Sequence, residues 1–201
     1  MTVPFNIIEE LDAGKSIYRF SEPVVNLLAL ASGQEKQSIR ETKIYPRSFR
    51  RYMPWYKTSN GGGAITLGNR KWSSITFTEN FFSDDINIYK EKAYGCNARA
   101  WLRLSAHEVG HIKHAHKYGS LLLYLLTFLF QYMRFGHANA PLEKEADSGI
   151  KTYDNWSNFL DIHQLGNIET LLQSEQSNED KIKTLNLWWD EYIKHSSPDH
   201  Q

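Results

Sequence analysis

The sequence predicts an α+β domain, and three observations carry that reading. Two short strand patterns, 64–67 and 72–78, flank a turn at 68–71; a long amphipathic stretch, Ala98–Tyr118, follows them; and further helical patterns occupy 121–135, 141–150 and 182–193. Strands grouped ahead of helices predict a small antiparallel or mixed sheet packed on the long helix. The chain has 201 residues, enough for one domain with a substantial core. It divides into an N-terminal scaffold (1–60), a core carrying the chemistry (61–150) and a helical closing segment (151–201). A hydrophobic content of 41% and an aromatic content of 13% fit a globular chain.

Residues 3–31 read as helical, with Ile7, Ile8, Leu11, Val24, Val25, Leu27, Leu28 and Leu30 apolar around a break near Ser21, Glu22 and Pro23. From 40 to 57 the composition turns basic and aromatic, with Arg47, Arg50, Arg51 and Lys57 among Tyr45, Phe49, Tyr52, Trp55 and Tyr56. Such interleaving can bind single strands of nucleic acid. Balanced charge, 23 basic against 23 acidic residues, together with Pro46 and Pro54, makes a surface loop the better reading. No nucleic-acid partner is expected.

Gly61, Gly62 and Gly63 form a hinge that feeds the hairpin at 64–78. An exposed edge of that hairpin can hold an extended peptide by main-chain pairing. It can equally serve only to close the core. Residues 121–135 are strongly apolar but shorter than the roughly 20 residues of a bilayer-spanning helix, and they include Tyr124, Thr127 and Gln131. A buried helix is expected there, with membrane contact the less favoured reading. Pro141 then opens a helix, since proline is tolerated in the first turn. The closing segment holds an amphipathic helix at 182–193 and a frayed tail; His195 and His200 receive no role.

The chemistry is concentrated in His107-Glu108-Val109-Gly110-His111, an HExxH pattern. Histidines at i and i+4 stand one above the other on a helix, so both imidazoles can reach one metal ion. Glu108 lies one position round the cylinder, where a carboxylate can take a proton from a water on the metal. Leu102, Ala106, Val109 and Ile112 form an apolar stripe on the opposite side, for packing. A third ligand must come from elsewhere. Glu143 and Asp147 share a helix face, whereas Glu145 points about 200° away from Glu143. Glu143 is therefore the candidate ligand, and Asp147 the acceptor for the non-metal nitrogen of His107 or His111. His114 shares the His111 face, yet three histidines along two turns span too far for one tetrahedral ion. His114 and His116 are read as solvated or outer residues.

HEVGH followed by the run EKEAD at 143–147 resembles the gluzincin metallopeptidases, over roughly residues 64–150. The segments ITLGN and SSITFT are similar to small bacterial zincin-like domains, some of them toxin or effector modules. EKEAD also resembles a class of integral-membrane peptidases, whose transmembrane helices have no counterpart in this sequence. The metzincin pattern does not fit, because His114 and Lys117 stand where it needs Gly and His.

The gluzincin resemblance implies a zincin-like fold and hydrolysis of peptide or protein substrates. Zn2+ would be held by His107, His111 and Glu143, with Glu108 as base and Asp147 behind a ligand. His137, Tyr153, Tyr132 and Arg134 are all eligible to stabilise the oxyanion. The alternative is a toxin, effector or binding module whose zinc is mainly structural. The lone Cys96 reads as a buried thiol. The N-terminus shows no Sec-type signal pattern, which implies a cytoplasmic protein or one exported by another route. The sequence specifies no oligomeric state.

Overall fold

The computed structural model describes residues 6–12, 14–46, 63–78 and 97–196 and has an α+β architecture, with a five-stranded mixed sheet and seven α-helices among those residues. The helical reading of 3–31 is corrected at its start. Residues Ile8–Asp12 (β1) and Ile17–Phe20 (β2) form an antiparallel hairpin. The Asp12 side chain builds the turn, accepting from Gly14 N at 3.1 Å and from Lys15 Nζ at 2.7 Å. Tyr18 and Phe20 face inward in the alternation of a strand, and Leu11 is exposed although Ile7 and Ile8 are buried. Ser21 and Pro23 then begin a helix, Glu22–Ser32 (α1), which Gly33 closes at φ 69°.

Residues 40–46 correct the loop reading as well: Arg40 and Glu41 finish a short helix, Lys36–Glu41 (α2), and Lys43–Pro46 is a strand (β3). Positions 47–57, Gly61, Gly62 and Cys96 lie outside the described residues. The hairpin forms as Ala64–Asn69 (β4) and Trp72–Phe77 (β5). β5 also runs parallel to β3, with Ile44 opposite Ile75. The sheet order is β1-β2-β3-β5-β4, which leaves β4 on an edge.

Ala98–Tyr118 (α3) starts at an Asn97 cap that accepts from Ala100 N at 3.0 Å, and stops at Gly119. Its predicted stripe, Leu102, Ala106, Val109 and Ile112, is completely buried, and Trp101 meets Phe77 with ring centroids 4.7 Å apart. Next come Leu121–Phe135 (α4), a 3-10 turn at His137–Asn139, Pro141–Ile162 (α5), Ile168–Gln173 (α6) and Asn178–Ser196 (α7). α5 runs past the predicted 150, because Tyr153, Trp156 and Leu160 continue its apolar face into the core. α4 corrects the expectation of a buried helix. Tyr124 is its one buried residue, since the helix touches the body along a single side and turns Leu122, Leu126 and Met133 to solvent.

α3 and α5 cross with glycine set against alanine at their nearest approach. A Cβ on Gly110 would stand 2.8 Å from Ala146 Cα, and one on Gly149 would stand 2.6 Å from the Ala106 carbonyl oxygen. Both obstacles are backbone or next to it, so a larger residue must push the helices apart. We expect Gly149→Val to destabilise the fold by about 3 kcal/mol, the upper end of overpacking costs. Lys151→Val, on the exposed side of the same helix, should stay within about 0.5 kcal/mol. Denaturant melts of both variants measure the difference.

Candidate metal centre

The crossing lays the His107 and His111 side of α3 against the first turns of α5. His107 Nε2 and His111 Nε2 are 3.2 Å apart; Glu143 Oε2 is 3.2 Å from His107 Nε2, and Glu143 Oε1 is 3.6 Å from His111 Nε2. Ligands at about 2.0–2.1 Å around a tetrahedral ion stand roughly 3.3 Å from one another. The three side chains therefore have the spacing of three corners of a metal site, and together they can hold an ion. Their donor set, two imidazole nitrogens and a carboxylate, suits zinc. His111 and Glu143 are buried, and His107 nearly so.

The far nitrogens of both imidazoles are engaged too. Asp147 Oδ1 lies 2.8 Å from His107 Nδ1, which leaves Nε2 free to face the ion. His111 Nδ1 lies 3.4 Å from His114 Nδ1, and His114 Nε2 lies 3.0 Å from Glu145 Oε2. With its Nε2 turned toward the other two ligand atoms, His111 carries its proton on Nδ1, facing His114 Nδ1; His114 Nε2 keeps ion-pair distance from Glu145 without an aligned hydrogen bond, and the other Glu145 oxygen accepts from Lys113 Nζ at 3.0 Å. His114 is thus buried and not solvated, and Glu145, which is not among the three converging residues, lies beside it.

Glu108 is almost fully buried, and the Thr66 hydroxyl on β4 sits 2.6 Å from its Oε2 and 2.9 Å from its carbonyl oxygen. Burial pushes the Glu108 carboxyl up to about 7, against the pull of His107 and of the Thr66 hydrogen bond. For His107, burial opposes the charged form, but the Glu143 hydrogen bond and the negative charges of Glu108, Glu143 and Asp147 outweigh it and hold the imidazole at about 9. His111 is driven down to about 3 by burial and by the neighbouring His107 charge. Burial also works against the Glu143 charge, yet the hydrogen bond from His107 and the surrounding histidines keep its carboxyl below the usual value. Without metal, then, one proton on His107 plays the cation among these carboxylates.

The structure sorts the four residues eligible for an oxyanion. Tyr153 is excluded: it is completely buried in the core and donates to Glu169 Oε1 at 2.7 Å. Tyr132 and Arg134 are exposed on α4, Arg134 lying over the Phe135 ring. His137 Nε2 comes within 3.8 Å of Glu143 Oε2, on an exposed side chain. Sequence reasoning missed Tyr124, a buried phenol kept protonated by burial and by the charges of Glu108 and Glu143. It missed Thr66 as well, since strand register is not written locally in the sequence.

No family model matches the chain, and no curated protein or solved structure matches it either.

Two measurements check this centre. Zinc should bind at one equivalent per chain, and its affinity should climb by up to about tenfold per pH unit between roughly pH 7 and 9, because the ion must displace the His107 proton. A chelator-competition titration across that range reads the slope. Asp147→Asn keeps the size but removes the charge behind His107; it should weaken zinc by about 10 to 100-fold. Glu143→Ala, which removes a ligand, should weaken it far more in the same assay.

Proposed function

We propose that the chain is a zinc-dependent endopeptidase with a zincin-like, gluzincin-type site. The observation that carries this is the pairing of three converging ligand atoms with a buried carboxylate, Glu108, on the same helical turn as His107 and His111. When bound, zinc supplies Lewis acidity, polarising a carbonyl oxygen and acidifying water. Glu108 would accept the proton from the attacking water and return it to the leaving amine. A carboxyl near pH 7 suits both transfers. Thr66 fixes the Glu108 rotamer, and burial together with the charges of Glu108 and Glu143 keeps Tyr124 protonated. Among the described residues β4 is an edge strand whose Thr66 already touches Glu108, so a peptide paired along that edge would run beside the metal centre.

The other reading, a module whose zinc is structural, calls for a closed site with four protein ligands. Among the described residues three converge, and His137 is the nearest fourth, with its side chain 65% exposed. Glu108→Gln separates the two. It should keep one zinc per chain while cleavage of an unfolded protein substrate falls by about 100-fold or more. Unchanged cleavage would remove Glu108 from the chemistry, and a zinc-loaded parent that cuts nothing in a broad substrate panel would favour the structural module.

A further inference from the structure

α4 turns its most apolar side outward. On a helical projection Leu122, Leu126, Leu129, Phe130 and Met133 fall within one arc, and each is between 51% and 70% exposed. Every polar side chain of α4 lies off that arc or is already engaged. The Thr127 hydroxyl donates to Leu123 O at 2.9 Å, Gln131 Oε1 accepts from Leu142 N at 3.0 Å, and Arg134 borders the arc. The face thus offers no hydrogen-bonding group, whereas protein interfaces carry about one hydrogen bond per 100–200 Å². It is also too large and continuous to be an ordinary scatter of exposed leucines.

Charge identifies the occupant. No acidic residue occurs between Gly119 and Leu142, while Lys117 just before α4 and Arg134 in its last turn are exposed cations. Lys113, one turn earlier, is already paired with Glu145. Two copies joined along this face would bring cation to cation. An antiparallel pair sets Arg134 against Lys117, a parallel pair sets like against like, and α4 itself carries no acid to answer either. An anionic lipid surface answers both ends at once. The helix is about 22 Å long, less than the roughly 30 Å hydrocarbon core, and no helix among the described residues is long and apolar enough to cross a membrane. We propose that α4 docks the protein on an anionic membrane surface, lying in the interface plane with Leu122, Leu126, Leu129, Phe130 and Met133 in the acyl boundary and Lys117 and Arg134 at the headgroups.

The metal centre is one short turn away, since His137 follows α4 and approaches Glu143. A consequence that rests on the peptidase reading is that the substrates are polypeptide segments lying at a membrane surface.

Vesicle flotation tests the docking without any turnover, so its outcome is independent of the peptidase reading. The full chain should float with phosphatidylcholine vesicles containing phosphatidylglycerol, and more weakly with phosphatidylcholine alone. Leu126→Glu with Met133→Glu should cut binding at least about tenfold. Lys117→Glu with Arg134→Glu should remove the preference for the anionic lipid, at roughly fivefold per cation. Circular dichroism and zinc content verify that the variants fold. An environment-sensitive dye on Met133→Cys, in a Cys96→Ser background, should shift to the blue on the anionic vesicles even if the glutamate variants fail to fold. No flotation and no dye shift would overturn the proposal. So would a stable dimer, without vesicle binding, that the glutamate pair breaks apart.

Discussion

The approach of α3 to α5 at Gly110 and Gly149 sets the distance on which everything else depends. Neither glycine leaves room for a Cβ, so the two backbones meet almost directly, Gly110 over Ala146 and Gly149 over Ala106. The carboxylate of Glu143 can then reach two imidazoles on the neighbouring helix, 3.2 and 3.6 Å away. Side chains of ordinary size would hold helix axes 8–10 Å apart. A glutamate would have to stretch across such a gap, and the spacing needed by a tetrahedral ion would be lost. Gly110 thus serves packing from inside the motif that supplies two of the three converging side chains.

The tight crossing also confines charge. Glu108, Glu143 and two histidines share a volume with little water, where unpaired charge is costly. The chain answers by dividing roles between near-identical groups. His107 is surrounded by carboxylates and holds a proton, while His111, deeper and beside that proton, stays neutral. Each has its own outer partner, a carboxylate directly for His107 and an imidazole–carboxylate pair for His111. The two imidazoles are therefore aimed from opposite sides, by Asp147 on α5 and by His114 on their own helix.

The parts of this arrangement that are legible in the sequence are those that follow from helical periodicity. His107 with His111, and Glu143 with Asp147, share faces because 3.6 residues make a turn wherever the helix lies. The apolar stripe of α3 is equally local. What was not legible depends on partners distant in the chain. Ile7, Ile8 and Leu11 suit a helix, and only pairing with Ile17–Phe20 makes that stretch a strand. An apolar run such as 121–135 states that burial is favourable, not that the fold supplies a cover. Thr66 meets Glu108 through sheet register and helix placement together, and Tyr124 is buried against Ala115 and Leu142 because α4 folds back after Gly119.

α5 begins without a capping side chain of its own, since Ala140 stands at the position where a serine or aspartate would accept from the first free amides. Gln131, from the inner side of α4, supplies the missing acceptor to Leu142 N. Glu143 is the very next residue. The first turn of α5 is therefore finished by a different helix, and the third corner of the candidate metal site is registered to the position of α4. A force on α4 is felt at Glu143 through one hydrogen bond and one peptide unit, a linkage shorter than any path through the sheet.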